Sequence, residues 1–198
     1  MKMGKAAETR QVILQKAFAL IYAKGYQATS IDDILAMTQV TKGAFYYHFK
    51  NKDDMGRALI SEVLKPVVQE QFSGPACATD EPLTAIYTMV EDLLLHNPML
   101  ELAYGCPVGN LVQEMGPWGN EFSQALHELT MLWQQALETL IEQGQQSGRI
   151  ARNIIPNQVA VFVLSGYWGV RNLGKLYQDK EVYAVFLHDL KQYLEGLQ

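Results

Sequence analysis

The stretch VTKGAFYYHFKNK, Val40 to Lys52, decides the fold. Four aromatic residues, Phe45, Tyr46, Tyr47 and Phe49, fall within five positions, and lysines flank them at 42, 50 and 52. A core has no use for the lysines and a solvated surface none for the aromatics, so the stretch must divide its side chains between two environments. Thr41 fits a helix N-cap, which puts Lys42 and Gly43 at the helix tip. Gly43 lets the backbone approach a phosphate or base closely. On such a helix Ala44 and Phe45 pack inward with Val40 and Phe49, while Tyr46, Tyr47 and His48 face outward with groups that hydrogen-bond.

Upstream, Val12, Ile13, Ala17, Leu20 and Ile21 recur at helical spacing, and Gly25 closes that helix. Ser30 fits the N-cap of a second helix, with Asp32 and Asp33 in the first turn where the helix dipole favours acids. It ends near Met37. About four residues separate it from the helix at Thr41, which is helix-turn-helix spacing; the second helix of such a pair enters the DNA major groove by its N-terminal end. Asn51 signals a further N-cap, with Asp53 and Asp54 behind it.

Charge agrees. The net charge is −5, but residues 1–60 hold nine Lys/Arg against five Asp/Glu, while the remaining 138 hold seven against sixteen. A basic end on an acidic body points to an anionic partner for that end alone. Apolar residues make up 48% of the 198-residue chain, enough for a sizeable core. The polar first ten residues do not read as a signal peptide, and apolar runs such as Val159–Leu164 are far too short to span a membrane. Cys77 and Cys106 make no disulfide framework. These features predict a cytoplasmic protein with reduced thiols and no membrane partner.

Beyond Lys52 the chain reads as helices: to about Phe72, Pro82–His96, one opening at Gly105-Cys106-Pro107, Trp118–Gln146, Pro156 to about Gln178, and Glu181–Leu197. The segment from Ser73 to Asp80 is a linker by composition. The fold class expected is therefore all-α, with a helix-turn-helix domain at 1–50 and a larger helical domain at 51–198.

The block Thr29-Ser30-Ile31-Asp32-Asp33-Ile34, then Val40 to Phe49, then Lys52, resembles the DNA-binding domain of TetR-family transcriptional repressors over about residues 10–57. The resemblance implies duplex operator DNA as partner, with Tyr46 and Lys52 on phosphate and Thr41, Lys42, Gly43 and Tyr47 at the groove. His48 caps or contacts phosphate, and Thr29 and Ser30 join the DNA-facing set. One departure stands out: the family's turn usually carries glycine where this chain has Gln39, and a glutamine held at positive φ there is strained by roughly 1 kcal/mol.

The same resemblance implies a homodimer paired through the last two long helices. Val159, Val163, Gly166 and Val170 form one candidate stripe; Phe186, Leu190, Tyr193, Leu194 and Leu197 form the other. It also implies a small-molecule or electrophilic effector held among the middle helices, with Met89, His96, Tyr104, Met115, Trp118, Trp133, Tyr167 and Trp168 as candidate walls. Arg171 is a fixed charge on an otherwise apolar helix and needs a partner.

Cys106 precedes Pro107, and proline favours the first helical position, so Cys106 stands at an N-cap. Unpaired N–H groups and the dipole there predict a lowered thiol pKa, with Gly105 and Gly109 leaving access and Lys175 or Arg171 adding positive charge. The Gly-Cys-Pro-x-Gly-Asn-Leu block resembles a TetR branch that includes regulators responding to electrophiles through cysteine. A non-covalent effector, with Cys106 a packed thiol, is the alternative. An enzyme using Cys106 with His96 or His127 lacks any accompanying signature. No catalytic residue, metal ligand set or cofactor is therefore assigned.

Overall fold

A computed structural model describes residues 4–73, 81–118 and 121–198, with only the backbone at 71–73 and 118. Cys77 and the side chain of Trp118 lie outside the described residues. All regular structure among the described residues is helical, so the all-α class stands.

Helix α1 (Lys5–Lys24) stops at Gly25, which turns to φ 95° and returns its N–H to Ile21 at 2.8 Å. Its inner face is Ile13, Leu14, Ala17 and Ile21; Val12, inward by spacing, is 41% exposed, and Leu14 takes that place. The three N-caps read from the sequence up to Asn51 are present. The Ser30 hydroxyl accepts from the Asp33 N–H at the start of α2 (Ile31–Ala36), and the Asp33 carboxylate accepts in return from the Ser30 N–H at 2.8 Å. Thr41 accepts from Ala44 at the start of α3 (Lys42–His48), and Asn51 from Asp54 at the start of α4 (Lys52–Leu59). The strain expected at Gln39 is absent: among the described residues the only non-glycine with positive φ is Gln178, so the turn is built without a left-handed residue.

From α4 the chain runs through a π-helical turn, Ile60–Leu64, into α5 (Lys65–Ser73). Then follow α6 (Pro82–Glu91) with a second π-helical turn, a short 3-10 turn at Leu102–Tyr104, α7 (Pro107–Met115), α8 (Glu121–Gln146), α9 (Pro156–Tyr177) and α10 (Glu181–Glu195). Pro82 and Pro156 sit in the first turns of their helices, where the missing N–H costs nothing.

By packing, the described residues form two units: one up to 67 together with 110–129, the other 68–109 together with 130–198. In the first, Ile13, Leu14, Ile34, Phe45, Phe49, Met55 and Leu59 make the core, and Tyr26 meets Phe122 edge-on at 4.8 Å. In the second, α9 packs on α10 and α10 on α6.

The two stripes read as dimer surfaces need correction. Val159, Val163 and Val170 are 2–4% exposed, and Leu190, Leu194 and Leu197 are buried with them. Gly166 lies against the Phe186 ring. These positions close the second unit's own core, because α9 and α10 bury them against each other. A different stripe on α9 is left open: Phe162 (49% exposed), Leu173 (41%) and Leu176 (75%), with Ser165 and Gly169 between them at helical spacing.

Candidate DNA-reading face and effector region

The α3 tip is open. Thr41, Lys42 and Gly43 are exposed, and beyond the helix's own backbone and the adjacent residues no described residue lies within 4 Å of where a Gly43 Cβ would stand. Lys42 reaches Asp32 on α2 at 3.2 Å, an exposed pair that water screens heavily. Along α3 the aromatics divide as their spacing predicts: Phe45 and Phe49 are buried, Tyr46 and Tyr47 exposed. His48 is half-buried, edge-on to Tyr47 at 5.0 Å.

One of the expected DNA contacts, Thr29, needs revision, and a second, Lys52, is partly spent inside the head. Thr29 is fully buried and its hydroxyl donates to the Gly25 carbonyl at 2.7 Å, so it shapes the corner and presents nothing to DNA. Lys52 has two of its ammonium donors on the carbonyls of Tyr26 and Thr29, both at 2.9 Å, and lies over the Tyr26 ring. Burial pulls its pKa down, against Asp53 and Glu114, which pull it up. Ser30 is exposed but spends its hydroxyl on the capping box. The two bonds from Ser30, with Lys24 at 3.1 Å, hold the Asp33 carboxyl at about 2.

Arg10 carries no signal in the sequence yet secures the end of α3. It forks onto Glu62 through Nε and Nη2, donates from Nη1 to the His48 carbonyl at 3.0 Å, and stacks over Phe49 at 4.4 Å. The Glu62 bond raises its pKa. Helix C-termini leave such carbonyls unpaired, and a guanidinium satisfies one while keeping its charge on the carboxylate.

In the second unit most of the expected effector residues do gather. Arg171 is 1% exposed and donates to the carbonyls of Glu101 (2.9 Å) and Gly105 (2.5 Å), the partners its burial demanded. Its guanidinium lies 5.6 Å from the Tyr183 ring. Gly105, at φ 75°, lies against Lys175. Trp168 lies near Gly109, and Trp133 meets Tyr167 edge-on at 5.0 Å. Tyr104, half-buried, ends the 3-10 turn beside this group. Met115 does not join it: it packs in the first unit, where its sulfur accepts from Gln27 at 3.1 Å. The indole N–H groups of Trp133 and Trp168 are buried with no acceptor among the described residues. Separately, a groove of about 420 Å³ between α6 and α10 is lined by Tyr87, Thr88, Lys191 and Glu195, among others.

Cys106 caps α7 as expected, accepting at Sγ from the Gly109 N–H at 3.4 Å. The expected lowering of its pKa fails. The residue is 4% exposed, and desolvation raises the thiol pKa against the opposing pull of the Gly109 N–H, Arg171, the Val108 N–H and the Tyr167 hydroxyl. Gly105 and Gly109 do not open access, because Lys175 and Trp168 fill the space beside them.

Among the described residues no helix is long and apolar enough to cross a membrane, and no group of three or more His, Cys, Asp or Glu is placed to hold a metal.

Residues 13–59 match the family model for bacterial regulatory proteins of the tetR family, and residues 82–190 match that for the tetracyclin repressor-like C-terminal domain. The transcriptional regulator AcuR of Cereibacter sphaeroides is 29% identical over 174 residues, 86% of this chain and 78% of that one. The HTH-type transcriptional repressor DhaR of a Mycobacterium species is 25% identical over 178 residues, 90% of this chain and 88% of that one. The crystal structure of a TetR-family regulator from Cytophaga hutchinsonii superposes with a TM-score of 0.86 across 100% of this chain and 98% of that one, at 19% identity, a likeness of fold. With the capped helix pair and the open α3 tip already in place, the chain belongs to the TetR family of DNA-binding transcriptional regulators.

Proposed function

We propose that this regulator is a repressor that reads a two-half-site operator as a homodimer and is released by a small molecule held in the 68–109 and 130–198 unit. One observation carries the DNA reading: α3 buries Phe45 and Phe49 while leaving Lys42, Gly43, Tyr46 and Tyr47 open at its capped end. Thr41, Lys42 and Gly43 meet the groove, Tyr46, Tyr47 and His48 the backbone, and Ser30 flanks them. The exposed stripe of Phe162, Ser165, Gly169, Leu173 and Leu176 supports pairing through α9, since small residues between large apolar ones let two helices approach closely.

The effector region is best read as a non-covalent site around Tyr104, Trp133, Tyr167, Trp168, Arg171 and Lys175. Two buried indole N–H groups without acceptors among the described residues favour a ligand that carries acceptor oxygens, because a buried donor left unpaired costs about 1–3 kcal/mol. A reading through cysteine modification requires the segment around Cys106 to open first, since the resting thiol is covered and protonated. Release follows only if the ligand prefers a conformation in which the heads no longer match the half-sites. The test is a duplex-binding titration on DNA from upstream of the protein's own gene, with and without candidate acceptor-bearing ligands. Equal ligand affinity for free and DNA-bound protein would refute release by an effector.

A further inference from the structure

The corner between α1 and α2, residues 25–29, is held by charge from two sides. Its N–H groups meet one carboxylate: Tyr26 donates to Glu114 Oε1 at 3.2 Å and Gln27 to Glu114 Oε2 at 2.9 Å. Its carbonyls meet one ammonium, with Lys52 Nζ on Tyr26 and Thr29. Gly25 suits this site twice over: φ is 95°, and a Cβ would fall 2.9 Å from Glu114 Oε1. The Tyr26 hydroxyl donates to Asp53 at 2.7 Å, so the corner is also pinned to α4. Glu114 stands 88 positions from Tyr26, in the last turn of the helix that Cys106 caps. All these partners of the corner belong to the first unit.

We propose that Glu114 and Lys52 are positioning residues of the DNA-reading head, acting together as a clamp on the 25–29 corner. The corner runs directly into Ser30, the cap of α2, whose Asp32 meets Lys42 at the tip of α3. At the one peptide group they share, a carboxylate on the Gln27 N–H and an ammonium on the Tyr26 carbonyl polarise it in one sense, which strengthens both bonds. Both partners read backbone atoms, so the clamp fixes where α2 starts whatever the side chains at Gln27 and Ala28. Lys52 then acts through the corner and not through phosphate. The inference rests on the head reading DNA as a dimer.

The test uses the full chain, its Glu114→Gln and Lys52→Met variants, and a duplex that the parent selects from a randomised pool. Glutamine turns an NH₂ toward one of the two N–H donors; methionine keeps the stem of Lys52 and removes its donors. Each variant is expected to bind the duplex about tenfold more weakly at every salt concentration, the worth of one charge-assisted bond. The salt slope stays that of the parent. The preference for the selected duplex over one with a base pair inserted between its half-sites falls, because a loosened head tolerates other spacings. Amide exchange in a peptide covering the corner and α2 speeds up, while that of α9 and α10 does not change. Parent affinity and spacing preference in Glu114→Gln would overturn the clamp. So would a slope reduced by about 0.9 in Lys52→Met, which assigns Lys52 to phosphate. Exchange rising throughout the chain would also overturn it, as general loss of stability. A parent that selects no duplex refutes the DNA reading by itself, and the exchange comparison then decides the clamp alone.

Discussion

Phe45 and Tyr46 are neighbours in sequence with rings nearly perpendicular: centroids 5.4 Å apart, planes at 86°, one side chain fully buried and the other 49% exposed. One helical step separates a residue that holds the head together from one proposed to meet DNA. The two substitutions should therefore separate stability from binding. Phe45→Ala removes a core ring and is expected to cost about 3–5 kcal/mol, read as a lowered thermal midpoint. Tyr46→Phe keeps the ring and removes one exposed hydroxyl; it should leave the midpoint alone and weaken duplex binding roughly five- to tenfold. Lys42→Ala should also lower the salt slope by about 0.9, measured by anisotropy at several salt concentrations. Unaltered duplex affinity in both Tyr46→Phe and Lys42→Ala means that the α3 face is not the reading face.

Most of the head is legible in the sequence because its signals are local. Ser30, Thr41 and Asn51 each bond to an N–H three residues on, so composition at short range marks them. What stays hidden depends on long separations. Arg10 and Glu62 stand 52 positions apart, and no period connects them. The corner's burial of Thr29 follows from the turn at Gly25, which a cap-and-spacing reading does not predict. The same limit explains the dimer stripes. On α9 two apolar stripes exist, and the sequence alone does not say which one α10 covers. At Cys106 the cap is local and legible; burial is tertiary, and it reverses the sign of the pKa shift.

The open stripe on α9 gives a second prediction. Leu173 is 41% exposed within the monomer, so a charge there costs the isolated fold little. Leu173→Glu buries two like charges near a two-fold axis if α9 pairs with its copy, and is expected to shift the protein from dimer to monomer at micromolar concentration by analytical ultracentrifugation. Duplex binding should fall with it, since a monomer reads one half-site. A variant that sediments like the parent removes this face from the dimer. Val163→Glu, on the buried stripe, should instead lower the thermal midpoint, because it places a charge in the core.

The capping box sets an acid limit for α2. The Asp33 carboxyl titrates at about 2, below its ordinary value of 3.8, because the folded chain gives it the Ser30 N–H and hydroxyl and the nearby Lys24. A depressed carboxyl contributes stability that is complete above the ordinary value and is lost as pH falls through the folded one. The difference in thermal midpoint between the parent and Asp33→Asn should therefore be constant from neutral pH down to about 5 and shrink toward zero on approaching about 2. A difference that holds steady across that window rules out the carboxylate as the source of the cap's strength.

Cys106 supplies the last prediction, and its two settings oppose each other. As the cap of α7 the sulfur accepts the Gly109 N–H, which favours the thiolate; as a side chain 4% exposed it loses solvent, which favours the thiol and wins. A thiol whose folded pKa lies above its unfolded value of 9.0 contributes stability that is present at neutral pH and declines as pH rises through the folded value, because the unfolded chain ionises first. In a Cys77→Ser background, iodoacetamide at pH 7 should label Cys106 at least about tenfold more slowly than a free cysteine peptide, with full labelling restored by denaturant. Cys106→Ser keeps a capping oxygen and should hold the parent's stability at pH 7, while Cys106→Ala loses the cap and about 1 kcal/mol. Duplex binding measured alongside then separates the two kinds of effector. If the folded protein is labelled as fast as the peptide, and labelling abolishes duplex binding, the reactive thiolate is restored and the non-covalent reading falls. Slow labelling, with release by a reversible ligand in Cys106→Ser as in the parent, leaves the thiol as the cap of α7.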